Sequence, residues 1–306
     1  MPTPLVTSGL DLANHTASGI WKKNIKSGII GSLTPDDPQI MVGPTDFFTF
    51  TSTPKAELVG EGGNKTSNTP APIKKTSKTY KVQLTKRFSD EVRYADEEYR
   101  LSLMEALAGE IATAVSRAID LVTIHGINPM TGEVAEGVVD YITKSGNGHV
   151  INSTSATPEV DLDAAAAALQ GSGYVASGLA MDPVYAGVLA RTKKTNGDRV
   201  FPELGLGFNV ERIAGLNAAV SNTVSGSAEF PGAIATGVGA IMADWSAIKW
   251  GIARNVPLHL IEYGDPDGAG DLQRTNEIAI RAEAYFGFAI LDDDAFAIIK
   301  QAQVSA

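Results

Sequence analysis

The amino-acid sequence predicts an α+β protein organised around one long helix. That helix covers Ala95–Gly126, where the larger apolar residues recur every three or four positions and form one continuous stripe. A long strand is predicted for Glu277–Leu291, where Ile278 and Ile280 begin a pattern that alternates with a second set of side chains. Between these segments, helices and strands mix without the regular alternation of a parallel βαβ sheet. This mixture indicates the α+β class.

The composition indicates a folded, acidic chain with few routes to catalysis. Its 306 residues, 43% of them hydrophobic, can form a substantial core in one elaborate domain or two. The absence of cysteine excludes a disulfide framework, a thiolate metal site and a cysteine nucleophile. A formal net charge of -10 argues against a surface that grips nucleic acid through clustered Lys and Arg. No stretch approaches the roughly 18 to 20 apolar residues of a membrane span.

Residues 1–44 predict an extended arm rather than an independent domain. The segment is rich in Thr, Ser, Gly and Pro and has only a weak series of apolar residues. Trp21 and the isoleucines after it favour an arm docked on another surface over a frayed terminus. Trp21 is therefore a candidate contact with another subunit.

Residues 45–93 predict a long hairpin. Strand formers occur in FFTFTS and AELVG on one side and in KTYKVQLTKRF on the other, where Tyr80, Val82 and Leu84 share a face. The tip between them has glycines, prolines and almost nothing apolar to pack on its own domain. A two-stranded ribbon alone is marginal in water, so we expect it to lie on a neighbouring subunit. Its candidate contacts are Glu61, Lys65, Lys74, Lys75 and Lys78.

The rest of the chain predicts short mixed elements. A short strand is expected at Val138–Ile142, and a polar run before residue 160 indicates a boundary. Beyond it, Asp161 lies near the start of an alanine-rich helix, Asp182 precedes a helix that Pro183 opens, and Asn196-Gly197 marks a turn.

The sequence contains no convincing motif for a metal or calcium site. The four histidines, His15, His125, His149 and His259, stand at no metal-ligand spacing. The acidic run from Asp265 to Asp271 lacks the glutamate that closes a calcium loop, so a solvated loop is the better interpretation.

One short pattern matches a known nucleophile arrangement. Ser246 and Lys249 fit S-x-x-K, in which the serine must open a helix so that the lysine one turn later can reach it. The surrounding WSAIKW alternates like a strand, which would place the two side chains on opposite faces. We therefore expect no catalytic residue, no cofactor and no enzymatic activity.

Several stretches, in this order, resemble the major capsid protein of tailed bacteriophages, which has the HK97-like fold. The resemblance extends over nearly the whole chain, and one of the stretches carries the family's Gly-Asp-aromatic-Ser pattern with Ala243 in the glycine place. The stretches are AELVGEGGNKTSNTP with KVQLTKRFSDEV, RAIDLVTIHGINPMTGEVAEGV, GLAMDPVYAGVLARTKKTNGDRVF, IMADWSAIKWGI and EIAIRAEAYFGFAILDDDAFAIIK.

The resemblance implies a division into four parts. They would be an N-terminal arm (1–44), an extended loop hairpin (45–93), a peripheral domain with a long spine helix (94–150 and 275–306) and an axial domain (151–274). The implied function is self-assembly as pentamers and hexamers into an icosahedral shell around phage DNA. The shell would form in the host bacterial cytoplasm and belong to the virion.

The resemblance also implies partners. Because the chain starts directly with the arm, we expect a separate scaffolding protein or a short arm that serves instead. A portal is a further expected partner, and decoration proteins are an optional one. We expect no Lys-to-Asn cross-link between subunits and no sequence-specific DNA binding. The alternatives are an encapsulin-like nanocompartment shell, which the proline-rich start disfavours, and more remotely an S-x-x-K hydrolase.

Overall fold

The computed structural model describes residues 28–34, 42–50, 56–65, 67, 72–91, 97–153, 158–205, 211–226 and 236–301. The helices are α1 (Ile30–Leu33), α2 (Glu97–His125), α3 (Pro158–Gly171), α4 (Pro183–Arg191) and α5 (Leu272–Thr275). The strands are β1 (Thr45–Thr49), β2 (Ile73–Ser89), β3 (His149–Ser153), β4 (Gly178–Met181), β5 (Arg212–Ile213), β6 (Leu216–Val220), β7 (Val238–Ala243), β8 (Ile248–Ile261), β9 (Glu277–Ile290) and β10 (Phe296–Gln301). The predicted α+β class is confirmed. No helix in these ranges is long and apolar enough to cross a membrane.

The first sheet is antiparallel, with strand order β1-β2-β9-β8. Its centre is the pairing of β2 with β9, which runs from Lys78 opposite Phe288 to Ser89 opposite Glu277. Tyr80 on β2 lies 5.5 Å from Phe288 and 5.8 Å from Phe286 between ring centroids. The strand alternation in the sequence predicted both long strands because one set of alternate side chains is buried along β9 and half-buried from Tyr80 to Phe88 of β2.

The second sheet is mixed, with strand order β3-β10-β7-β4-β6-β5. In it β10 pairs in parallel with β3 and antiparallel with β7, and β4 pairs in parallel with β6. Helices α3 and α4 supply Leu169, Tyr185 and Leu189 to a buried cluster with residues of this sheet. The predicted cap of α4 is confirmed, since Asp182 Oδ1 accepts from Val184 N at 2.8 Å and Pro183 opens the helix.

Helix α2 is the longest helix described and packs its apolar stripe against the first sheet. At about 1.5 Å per residue it is a rod of about 44 Å, close to the predicted length. Ile111 contacts the cluster that holds Ile280 of β9, and Ile119 and Val122 enter the main core. The final long strand β9 therefore packs on this stripe through these residues. The side chains of Leu103, Met104 and Leu107 lie outside the described part.

The end of α2 explains why one predicted strand is wrong. Gly126 has a left-handed φ of 66°, as the helix-terminating glycine was expected to have. The last carbonyl groups of the helix accept hydrogen bonds from the segment that follows: Thr123 O from Ile142 N at 3.1 Å, and Ile124 O from Thr143 N at 2.9 Å. The expected strand Val138–Ile142 is therefore irregular. The N–H group of Ile142 caps the helix, and that of Val138 donates to Ala135 O at 3.2 Å in a turn.

A second predicted strand, AELVG, is also wrong. Ala56–Gly60 has no strand partner within the described residues, and the chain turns at Gly62, whose φ is 79°. Leu58 is fully exposed. Strand formers in this stretch make no sheet because the backbone groups find no ladder there.

The two sheets divide the chain differently from the expected boundaries. Strand β8, expected within the axial segment, lies in the first sheet, whereas β10, expected with the peripheral segment, lies in the second. Strand β3 also joins the second sheet across the expected boundary. The division into four parts stays a prediction.

Candidate assembly interface

The hairpin extends the first sheet as a two-stranded ribbon. Among the described residues, strand β1 pairs with Ile73–Ser77 alone, and these residues precede the part of β2 that pairs with β9. On this ribbon Phe48 is 66% exposed, and Phe50 just beyond it is 64% exposed. The alternation of FFTF was the available signal for these residues, since it puts positions 48 and 50 on one face. Two exposed phenylalanines on a thin ribbon indicate a surface made for contact.

Two of the candidate lysines pair within the chain. Lys74 Nζ lies 2.8 Å from Asp46 Oδ2, and this cation holds the pKa of the Asp46 carboxyl below its usual range. Lys75 Nζ lies 3.6 Å from Asp293 Oδ2, which ties the ribbon to the turn before β10. An intersubunit contact of either lysine would have to compete with these pairs.

The other candidate contacts are placed differently. Glu61 and Lys65 lie together near the turn at the tip of the hairpin, and Lys78 lies on β2 at the base of the ribbon; all three are exposed. The candidate Trp21 lies outside the described residues. The role of these four residues between subunits stays a prediction.

A charged cleft of about 390 Å³ separates the ribbon from the second sheet. It is lined by Lys75, Tyr174 and Asp292–Asp294, among others. Tyr174 Oη donates to Asp292 Oδ2 at 2.6 Å, and burial together with this carboxylate raises the pKa of Tyr174 to about 12. Of the lining residues, Lys75 connects the ribbon base to this turn through Asp293, and no substrate-like geometry follows from these contacts.

Arg87 binds the acidic loop from Asp265 to Asp271, which the sequence predicts to be a solvated loop. From β2 its Nε reaches Asp267 Oδ2 at 2.8 Å, and its terminal nitrogens reach Asp265 at 3.0 Å and the carbonyl of Gly270 at 2.9 Å. The guanidinium lowers the pKa of Asp267. Asp265 is further occupied by the N–H groups of the loop, including that of Gly268 at 2.7 Å. The aspartates therefore bind an arginine and the backbone of their own loop.

Asp120, near the end of α2, is the most deeply buried carboxyl group described, with 1% of its surface exposed. Its Oδ2 accepts from Ile29 N at 2.7 Å and from Thr223 Oγ1 at 2.9 Å, and its Oδ1 accepts from Ile30 N at 3.0 Å. Burial raises its pKa to about 6, while the three donors and nearby Arg117 oppose that rise. The buried carboxyl of Asp120 thus connects α2 with two other segments. These are residues 28–34 of the arm, named the arm end, and the loop 221–226 before β7.

His125 binds the same loop from the last residue of α2. Its Nε2 lies 2.7 Å from Val224 O and 3.2 Å from Thr223 O, so this nitrogen carries the hydrogen. Its Nδ1 lies 3.1 Å from Thr143 Oγ1. Burial lowers the pKa of His125 to about 4. Desolvation therefore keeps the imidazole at this helix end neutral.

The possible catalytic residues are used structurally. Ser246 lies in a 3-10 turn (Trp245–Ala247) before β8, and its hydroxyl donates to Asp244 Oδ1 at 2.8 Å. The expectation that this serine sits on a strand is wrong; the strand begins at Ile248, once the turn capped by Asp244 is complete. Within the described ranges no group of three or more His, Asp or Glu side chains can hold a metal ion.

Comparison with protein families settles what kind of chain has this architecture. The model of the phage capsid family matches residues 9–301. This chain belongs to the phage capsid family. The match spans nearly the whole chain, from the arm to the last residue of β10, and confirms the resemblance found in the sequence. The family is one of structural capsid proteins, so the chain is a component of the virion capsid.

Solved structures of phage proteins agree in fold. A chain from Mycobacterium phage Ogopogo is 39% identical, covers 98% of this chain and 100% of its own, and superimposes with a TM-score of 0.85. A chain from Gordonia phage Cozz is 29% identical, covers 95% of this chain and 91% of its own, and has a TM-score of 0.78. A capsid of an empty GTA particle computed with C5 symmetry is 15% identical, with a TM-score of 0.62 over 95% of each chain, and it shows the fold alone. No curated protein matches.

These likenesses confirm the HK97-like fold. They favour the phage assignment over the encapsulin-like alternative and give no support to an S-x-x-K hydrolase. Sequence reasoning missed two features of the capsid subunit: the exposed phenylalanines of the ribbon and the buried carboxyl of Asp120. The signal for the second was an acidic residue within an apolar stripe near a helix C-terminus, where negative charge is disfavoured.

Proposed function

We propose that the chain is a major capsid protein that self-assembles as pentamers and hexamers into the icosahedral shell enclosing phage DNA. The observation that carries the proposal is the ribbon of β1 and Ile73–Ser77, which leaves Phe48 and Phe50 exposed. A two-stranded ribbon is marginally stable by itself. A neighbouring subunit would cover both the apolar side chains and the free edge of β1.

Identical subunits that make such a contact head to tail close into rings, and rings that share edges form a shell. Glu61, Lys65 and Lys78 are exposed near the same hairpin and would supply polar contacts at the rim of the interface, together with Trp21 of the arm. Lys74 and Lys75 would contribute by keeping the ribbon in shape through Asp46 and Asp293.

The acidic balance suits a container for DNA. A net charge of -10 disfavours tight electrostatic binding to phosphates, so packaged DNA would remain free to move along the inner wall. We propose that assembly takes place in the host bacterial cytoplasm with a separate scaffolding protein, and that a portal and decoration proteins complete the shell.

The experiment is assembly of the purified full-length chain, alone and with the scaffolding protein of the same phage. Size-exclusion chromatography followed by negative-stain microscopy should reveal rings, sheets or shells. A monomer of 32.1 kDa under every condition, scaffold included, would contradict the proposal. Mass spectrometry of purified particles separates the encapsulin-like alternative, which requires a defined enzyme cargo in place of DNA.

A further inference from the structure

The carboxylate of Asp120 lies where three segments distant in sequence meet. Helix α2 supplies the acceptor, residues 28–34 supply the N–H groups of Ile29 and Ile30, and the loop 221–226 supplies the hydroxyl of Thr223. The segment 28–34 has a further bond to α2, because Gly28 N donates to Ser116 Oγ at 3.0 Å. Two segments with no covalent proximity are thus bound to one carboxyl group.

The two segments provide the hydrogen bonds that offset the burial of this group. Neither 28–34 nor 221–226 contains a titratable side chain. The charged group that acts on Asp120 from α2 is Arg117, whereas His125 binds carbonyl groups of the loop and Asp182 accepts from Ser225 Oγ at 2.6 Å. A buried carboxylate is costly unless hydrogen bonds satisfy it. Each donor therefore matters to the stability of the ionised form.

We propose that Asp120 makes docking of the arm end 28–34 and seating of the loop 221–226 interdependent, so that each is held more tightly when the other is in place. When one donor departs, the carboxylate keeps its burial but loses part of its compensation. The ionised form then becomes less favourable, and the remaining donor bonds to it weaken. Such a coupling is reciprocal by thermodynamic necessity.

The first test removes the hydroxyl of Thr223 and observes the arm. The variant Thr223→Val keeps the side-chain volume and removes no hydrogen-bonding group of Ile29 or Ile30. In the full-length chain at pH 8, hydrogen-exchange protection of the amides of Ile29 and Ile30 should fall about tenfold, the effect of losing ~1.4 kcal/mol. At pH 5, where a neutral carboxyl carries no charge to compensate, the fall should be smaller.

The matched control is Thr123→Val. Thr123 is also buried on α2, three positions from Asp120, and its Oγ1 has no hydrogen-bond partner among the described residues. This variant should leave the protection of Ile29 and Ile30 as in the wild type. Unchanged protection in Thr223→Val, or an equal loss in Thr123→Val, would overturn the proposal. Amides of β9 report global unfolding, and an equal loss there would also count against it.

The second test displaces the arm end and observes the loop 221–226. A Cβ at Gly28 would come within 2.5 Å of Ser116 Oγ and 2.9 Å of Ser116 O, so Gly28→Ala should displace the arm end. The amide of Gly226, which donates to Asn222 O at 3.0 Å, reports on the loop. Interdependence requires its protection to fall in Gly28→Ala by a factor similar to that seen for the arm in Thr223→Val. A loop that stays fully protected would refute the coupling.

Discussion

Thr223 and Asp120 lie 103 positions apart in the sequence, yet the hydroxyl of Thr223 donates to Asp120 Oδ2 at 2.9 Å in the interior. His125, five positions beyond Asp120, lies 3.2 Å from the carbonyl of the same threonine. Two side chains near the end of α2, the acid Asp120 and the base His125, therefore both bind Thr223 of the loop. Their opposite responses to pH give the first prediction.

Between pH 6.5 and 4 the contributions of Asp120 and His125 should nearly cancel. Folding raises the pKa of Asp120 from 3.8 to about 6. Protonation of Asp120 therefore stabilises the folded subunit fully below pH 3.8, and this stabilisation is lost as the pH rises through 6. Folding lowers the pKa of His125 from 6.5 to about 4, so its contribution exists above pH 6.5 and is lost as the pH falls toward 4. Each contribution amounts to about 3 kcal/mol.

Single substitutions should reveal each of the two opposing contributions to the free energy of unfolding. Relative to the wild type, Asp120→Asn should lose stability as the pH falls from 6.5 to 4.5, and His125→Gln should gain stability over the same interval. The measurement is urea unfolding of the full-length chain at several pH values. The difference between each variant and the wild type cancels the titration of unchanged surface groups. Parallel pH profiles in all three proteins would refute the opposed titrations.

Arg87 should matter much more than its sequence neighbour Lys86. Arg87 is 13% exposed and binds three carboxylates, whereas Lys86 forms one exposed ion pair with Glu110. We expect Arg87→Met to lower the unfolding temperature clearly and Lys86→Met to change it only slightly. Thermal unfolding measures both changes, and limited proteolysis at residues 264–271 should accelerate only in the arginine variant. Equal changes in the two variants would contradict this role of Arg87.

Gly126→Ala should destabilise the subunit through a clash as well as through strain. The residue has φ of 66°, and an added Cβ would lie 2.6 Å from Cδ1 of Tyr141. Gly146→Ala is the matched control, since its φ is 93° and no atom lies within 4 Å of its added Cβ. We expect about 1 kcal/mol of backbone strain at Gly146 and about 3 kcal/mol at Gly126. Chemical denaturation gives both values, and similar costs would show that the ring of Tyr141 moves aside freely.

Replacing both exposed phenylalanines of the ribbon should separate folding from assembly. The double variant Phe48→Ser, Phe50→Ser should unfold within about 0.5 kcal/mol of the wild type, because both side chains are exposed in the single subunit. Its yield of rings or shells should fall at least severalfold. Val184→Ser, an exposed apolar residue on α4 away from the ribbon, provides the comparison. Normal assembly of the double variant would remove the ribbon face from the proposed interface.

The sequence was sufficient to predict α2, β2 and β9 because burial of one face imposes a period on residues that are local in sequence. It was insufficient for Ala56–Gly60 and Val138–Ile142, where strand formers are present but the distant backbone partners differ from those expected. Asp120 shows the same limit for a site. Its donors come from segments about 90 positions before and 103 positions after it, and no local pattern encodes their meeting.

The path of the chain after β9 has a mechanical consequence. Strands β9 and β10 lie in different sheets, and only five residues, 291–295, connect them. A pull on the ribbon passes into β2 and then across twelve paired residues to β9, parallel to the strands, so that the hydrogen bonds bear the load together. The short link passes the same tension into the second sheet. A pull along the ribbon would therefore load this ladder in shear, with all twelve pairs resisting at once, and would not peel the strands apart one pair at a time.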